Sequence, residues 1–407
     1  MRFKVGIVME AMAVVFAIPA AILLNRSLGA DARGLLAAMM LMPSVVGTIV
    51  SCQWERTLKA IIAQKKESSE DIWGRTRKYC LFLSIVGICL VLPAIVSQFQ
   101  LPFHLKLLAF IFACFHIPCF LVILFSSNFF AANGQLYISF FVRLIGPFAY
   151  LSSIVLGAFF WDINLKYALF ANLMNVVVGA VCALFFIKKL DFAKKSFKLF
   201  DNALSNLVKP LPPFALEVVS LQAGIWFFST FVGNVATGSY VAFRFFIFPM
   251  RVSSLGLVNV GVSRVNWTVW REAIAFVLKA SGLLVLLGIG ALLGVVFLGE
   301  PIVVFVLGKS FVADLWMLPI VVLAESLESL GFFLLSCLQL LGGQKEYLLI
   351  QYGTATSKIT LIAVGCYFFG GKGILLGLCL SAILRIISTS VMLLIRRIHE
   401  LSASHST

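Results

Sequence analysis

Charge is what this sequence has least of. Only 12% of its 407 residues are Asp, Glu, Lys or Arg, about half the share that a water-soluble domain carries, so the chain cannot cover a water-facing surface. Long polar stretches are missing too: the longest run about 25 residues, which excludes an appended soluble domain. Histidine is scarce, with four in the chain, and none of the nine cysteines forms a CxxC pair. Those absences exclude a metal-ligand framework and a disulfide scaffold, and leave the cysteines as small apolar packing residues. Neither DxD nor HxxxxD occurs, so the chain lacks the acidic or histidine clusters expected of a membrane glycosyltransferase or acyltransferase. No metal and no cofactor is expected.

What fills the chain instead is hydrocarbon. Hydrophobic residues make up 61% and mean hydropathy is +1.05, and apolar runs of 17 or more residues recur along almost the whole length, each enough to span a bilayer. Backbone amides in lipid must be satisfied within the segment, so these runs are helices. Twelve spans are predicted, near 6–24, 35–52, 80–96, 107–125, 137–160, 167–187, 214–231, 240–262, 273–297, 316–338, 348–369 and 374–394. The first follows Arg2 and Lys4 but is longer than the apolar region of a cleaved signal peptide, so it reads as a retained span. The seventh and eighth are the least clearly marked, the seventh because its start can extend back into Leu204–Pro213 and the eighth because it carries Arg244 and Arg251. The expected fold is an all-α polytopic membrane protein, with about 12 transmembrane helices in two six-helix lobes around a central cavity.

The formal charge of +15 suggests nucleic acid until its distribution is read. Twenty Lys and Arg fall in the termini and loops of one face, six in the loops of the other and six inside spans. That asymmetry places both termini in the cytoplasm, and basic loops facing anionic lipid headgroups account for the excess. Membrane lipids, not nucleic acid, are the expected partners. Two cytoplasmic segments, 53–79 and 191–213, read as amphipathic helices on the inner surface. The second divides the chain into an N-terminal lobe (1–190), a linker (191–213) and a C-terminal lobe (214–407).

An internal repeat supports that division. LGADARGLL after the first span places Gly29 and Gly34 five apart, and VGNVATGSY after the seventh does the same with Gly233 and Gly238. NGQLYISFF (Gly134) enters the fifth span and GGQKEYLLI (Gly343) the eleventh. The offsets, 204 and 209 residues, fit duplicated halves.

The residues with chemistry to offer are ionisable groups inside spans. Arg251, Lys358, Arg385, Glu325 and Glu328 fall near the midplane, and Arg143, Arg244, Lys279, Glu10 and Glu217 lie shallower. A central charge costs about 2.5–3.5 kcal/mol on insertion scales. Five facing lipid would cost on the order of 12–17 kcal/mol, above the whole stability of a typical protein. They therefore face the interior, and five in one core are expected to line a wet central cavity, cationic on balance; the competing arrangement is salt bridges between helices, for example Arg251 or Arg385 with Glu325. Arg244 and Arg251 share one helix stripe, as do Glu325 and Glu328. Lys279 and Glu10 are placed to snorkel, and His116 reads as a core histidine.

Several stretches resemble a known family. ILLNRSLGADARGLLAAMM is similar to the "aRlLGpxxxG" pattern of polysaccharide repeat-unit flippases, through Arg26, Leu28, Gly29 and Gly34, with Ala30 where proline is common. VGNVATGSYVAFRF resembles their "vGxyxxa" stretch. PIVVFVLGKSFVADLWMLPIVVLAESL resembles "iixllfGxxfxxAxxxLxil" through Gly308, Phe311, Ala313 and Leu315, and FGGKGILLGLCLSA the "yGxxGaaxat" start of the last helix. The resemblance implies the multidrug/oligosaccharidyl-lipid/polysaccharide exporter superfamily, alternating access and a bacterial inner membrane. It also implies a polyprenyl-pyrophosphate-linked oligosaccharide as substrate, such as an O-antigen or capsule unit, with polysaccharide polymerase machinery as a partner. Guanidinium forks suit pyrophosphate, so the expected substrate-cavity residues are Arg251, Lys358, Arg385, Arg244, Arg143 and Arg26. Glu325 and Glu328 are the expected coupling or salt-bridge partners. The competing reading is a multidrug/cation antiporter of the same superfamily, for which those two carboxylates would begin an acidic cavity. Another 12-helix carrier is disfavoured by the long loop after the second span.

Overall fold

The computed structural model describes residues 2–51, 69–96, 102–132, 135–188, 211–267 and 269–404. Those residues are helical almost throughout, as the apolar runs require. In chain order the helices are α1 (Arg2–Val50), α2 (Ser69–Val96), α3 (Phe103–Ala132), α4 (Leu136–Phe160), α5 (Leu165–Lys188), α6 (Leu211–Phe227), α7 (Asn234–Phe243), α8 (Phe248–Arg264), α9 (Trp270–Val306), α10 (Met317–Leu340) and α11 (Gln344–Ser404). Among the described residues ten helical stretches are long and apolar enough to cross a membrane, with α7 and α8 counted as one; two of them, Val15–Val50 and Gln344–Arg396, run 36 and 53 residues. They belong to α1 and α11, 49 and 61 residues long and each broken inside at a non-helical glycine, Gly29 and Gly370; at 1.5 Å per residue these helices are about 73 and 92 Å long, against about 30 Å of hydrocarbon. Each crosses twice, which yields the twelve spans expected and a multi-pass membrane protein. The second amphipathic segment lies almost wholly outside the described residues. Of the first, 69–79 is the opening of α2, with Thr76 and Tyr79 buried.

The breaks have local causes. α1 bends at Gly29 (φ 68°) and α11 at Gly370 (φ 57°), backbone conformations that an L side chain rarely adopts. At Gly370 the chain reverses, and the two arms of α11 then touch: a Cβ on Gly373 would lie 1.8 Å from the Gly365 carbonyl oxygen. Lipid offers no hydrophobic drive between helices, so close approach at small residues holds such pairs together. α6 runs into a π-turn (Phe228–Val232) that ends at Gly233 (φ 122°). Gly29 and Gly233 thus occupy the same place in the two halves, each followed five residues later by a buried glycine. The irregular eighth span also has a cause. Pro249 has no N–H to donate to the preceding turn, and Arg244–Ile247 tightens to a 3-10 turn between α7 and α8.

The chain packs as two units, Met1–Val218 and Val219–Thr407. Unit 1 is cored by Phe112, Ile117, Leu121, Phe125 and Phe129 of α3, which contacts α1, α2, α4 and α5. His116 stacks between Phe112 and Phe120, with ring centroids 5.0 and 6.0 Å away. In unit 2, α10 is the hub, packed on α8, α9 and α11. Its most apolar window is 61% buried, whereas that of α9 is 17% buried and carries Leu278, Leu286, Val296, Phe297 and Phe305 on its surface. α9 is thus the lipid-facing helix and α10 the interior one. Lys279 on α9 is exposed, as snorkelling needs. The side chain of Glu10 lies outside the described residues.

Candidate functional site

The interior helix of unit 2 is also the acidic one. Glu325 and Glu328 sit three residues apart on α10, and that spacing puts both on one face. Both arginines of the broken eighth span reach the first carboxylate. Arg244 Nε lies 2.7 Å from Glu325 Oε1, and Arg251 Nη2 donates to Glu325 Oε2. Two cations of α11, one from each arm, reach the second. Lys358 Nζ is 3.2 Å and Arg385 Nη1 2.8 Å from Glu328 Oε1. Four cations are held by two carboxylates, so the cluster keeps a formal excess of two positive charges.

The surrounding chain makes room for it. Arg385 is 1% exposed, so its long stem must cross the face of α10, and it does so at Gly331, where a Cβ would stand 3.2 Å from the arginine's Cγ and Cδ. Its Nε donates to Thr354 Oγ1 at 3.4 Å, and Nη2 is buried without a hydrogen-bond partner among the described residues. Tyr240, one turn before Arg244, stacks on Phe228 (5.0 Å) and lies under the Arg244 guanidinium (5.5 Å to the ring centroid). That face contact lets a buried cation share the ring's negative potential. Between these groups is a cavity of about 10 Å³, lined by Tyr240, Arg244, Arg251, Glu325, Glu328 and Lys358. It is room for about one water. Arg251 is its open edge, with a side chain 36% exposed against 2% for Arg385.

Six of the eight residues singled out in the sequence therefore come together: Arg244, Arg251, Glu325, Glu328, Lys358 and Arg385. The sequence favours a wet cavity, with salt bridges as its competitor; unit 2 adopts the competitor, ion pairs around room for about one water. Arg251 takes Glu325, and Arg385 takes Glu328 in place of Glu325. The other two belong to unit 1. Arg26 is exposed on α1, three residues before the bend. Arg143 on α4 is exposed and donates to Ser127 and Asn128 of α3. Tyr240, Thr354 and Gly331 were not singled out, although each bears a helical spacing that could have found it. Tyr240 is four residues before Arg244, Thr354 four before Lys358, and Gly331 three after Glu328.

No protein-family model and no curated protein matches the chain. Solved structures do. A multidrug resistance MATE family transporter of the MOP superfamily, in its inward-facing conformation, aligns with a TM-score of 0.68 at 14% identity over 94% of each chain. The lipid II flippase MurJ, in an inward closed conformation, aligns with a TM-score of 0.71 at 13% identity over 95% of this chain and 86% of its own. A MOP superfamily transporter from Pyrococcus furiosus, described as having a binding pocket of reverse polarity that suggests a different function, aligns with a TM-score of 0.63 at 14% identity over 96% and 94%. At such identities the likeness is one of fold, and the chain has the fold of these transporters.

Proposed function

We propose that this protein is a membrane transporter of the MOP superfamily that carries an anionic lipid-linked oligosaccharide, of the polyprenyl-pyrophosphate type, across the bacterial inner membrane by alternating access. The observation that carries the reading is the charge balance on α10: four cations against two carboxylates at membrane depth. An interior excess of positive charge is expensive in a low-dielectric setting, and a chain keeps it where a dense anion comes to neutralise it. Arg251 would meet the pyrophosphate first, because its fork is the exposed one. Lys358, Arg385 and Arg244 would supply the field behind it. Among the solved structures of this fold, one is named as a lipid flippase, and the short motifs at Gly29, Gly233, Gly308 and Gly370 resemble polysaccharide repeat-unit flippases. The lopsided loop charge supports both termini in the cytoplasm.

The competing reading is a multidrug/cation antiporter, supported by the MATE transporters of the same fold. It needs a free carboxylate to draw in a cation. Glu325 and Glu328 are the acidic groups of the cluster, and each already holds two cations. The two readings part on one residue. Arg251→Ala should abolish glycan export in cells while its membrane abundance stays near wild type, and Arg251→Lys should recover export only partly, since a point charge lacks the two-point grip. Recovery of export in Arg251→Ala/Glu325→Ala would reject the anion-binding role. Drug efflux that is lost in Glu325→Gln but unchanged in Arg251→Ala would favour the antiporter.

A further inference from the structure

Arg143 is placed unlike the cations of unit 2. It lies seven residues into α4, about 10 Å from that helix's start. The helix is 25 residues long, about 37 Å, so its ends overshoot a 30 Å hydrocarbon core by a few ångströms each. An upright α4 therefore carries Arg143 roughly 7 Å inside the hydrocarbon. An arginine at that depth normally extends its stem toward the interface. This one is tied down instead. Its Nε donates to Ser127 Oγ at 3.1 Å and its Nη2 to Asn128 Oδ1 at 3.0 Å, and both partners are fully buried on α3.

The clamp has a built direction. Ser127 Oγ and Asn128 Nδ2 both donate to the Leu124 carbonyl, at 3.1 and 2.8 Å. With the hydroxyl hydrogen and one amide hydrogen committed there, the serine lone pairs and the amide oxygen face the guanidinium. A flipped Asn128 amide would set donor against donor. A guanidinium has five N–H groups, and the clamp uses the edge formed by Nε and Nη2. The Nη1–Nη2 edge stays open, with two parallel N–H groups on an exposed side chain. Ser127 and Asn128 carry no charge, and among the described residues Arg143 forms no ion pair with a carboxylate. Among the described residues a full positive charge is thus aimed and uncompensated.

We propose that Arg143, held by Ser127 and Asn128 as positioning residues, is an oxyanion site built wholly within unit 1, which takes the phosphate of a membrane-borne lipid on its Nη1–Nη2 edge. It deepens the transporter reading and rests on it only for the choice of first probe. The shared chemistry is a phosphoryl oxyanion on an acyl or prenyl anchor. Phosphate matches the open edge in two-point geometry, and a lipid brings it to a depth that a free ion does not reach.

The test is binding by the full-length protein in phosphatidylcholine nanodiscs, titrated separately with a polyprenyl diphosphate, phosphatidylglycerol and inorganic pyrophosphate. Arg143→Ala should weaken binding about tenfold or more, the size of a lost charge-assisted contact, and Arg143→Lys should fall between. Asn128→Asp is the deciding variant. It keeps an oxygen toward Arg143 and adds a carboxylate, while giving up the Nδ2 donation to Leu124, so the ion pair and the lost bond should leave the thermal midpoint little changed while binding falls about as far as in Arg143→Ala. A merely structural role would leave binding intact in Asn128→Asp, and that result overturns the site. The probe whose binding depends on Arg143 identifies the source of the phosphate. Dependence for inorganic pyrophosphate alone overturns the membrane-borne ligand. Wild-type binding in all three variants, alongside lost export in Arg251→Ala, refutes this site and leaves the proposed function standing. The opposite pattern refutes the proposed function and leaves this site.

Discussion

Unit 1 and unit 2 keep their membrane-embedded cations on different terms. In unit 1 Arg143 is held by a hydroxyl and an amide, its charge is not balanced and its head is exposed. In unit 2 Arg244, Arg251, Lys358 and Arg385 converge in pairs on two carboxylates of the most buried helix. The difference teaches what each arrangement can do. A paired, buried cation is costly to disturb, because removing its partner strands a charge that water cannot reach. A clamped, exposed cation contributes little to stability, and its charge remains free for a ligand. The two units need not divide the work equally, and among the described residues carboxylate compensation of these cations is confined to unit 2.

The contrast can be broken most severely at Glu328. Glu328→Ala leaves Lys358 and Arg385 buried without a carboxylate, and the expected loss is about 3–5 kcal/mol, read as a fall in the unfolding midpoint of the purified protein or as loss of membrane abundance. Glu328→Ala/Lys358→Met should regain part of it. A wild-type midpoint in the single variant would mean the cluster is not compensated as described.

Next in size is the α11 hairpin that brings Lys358 and Arg385 to the same carboxylate. Gly373→Ala pushes a methyl into the Gly365 carbonyl, and overpacking of this kind costs about 1–3 kcal/mol. Gly353→Ala on the same helix has nothing within 4 Å of the added carbon and should be near neutral. Equal midpoints for the two would remove the case for a tightly sealed hairpin.

The smallest effect is expected in unit 1. Arg143→Met should change the midpoint by less than about 1 kcal/mol, since hydrogen bonds to Ser127 and Asn128 are lost while an unbalanced charge is removed from lipid depth. A loss as large as that of Glu328→Ala would erase the distinction between the units.

Much of this was legible in the residue order. Twelve apolar runs became twelve spans because hydropathy is a local property and lipid leaves the backbone no alternative to helix. The glycines at 29 and 233 marked the same bend in both halves, since a positive φ all but requires glycine. The interior charges announced themselves by their cost. Pro249, with no N–H to give, stands where the eighth span's helix breaks, and Arg244 and Arg251 still reach one carboxylate across the 3-10 turn. What residue order could not decide was the choice of partner. Whether Arg385 meets Glu325 or Glu328 depends on the rotation of α10 against α11, on the hairpin at Gly370 and on the gap left by Gly331, and none of these is local. Spacing along one helix limits which side chains share a face. Which face meets which is settled only when helices far apart in sequence pack. The sequence determined that charges would lie in the membrane interior; only tertiary packing decided that unit 2 balances four of them on two carboxylates while unit 1 leaves Arg143 open.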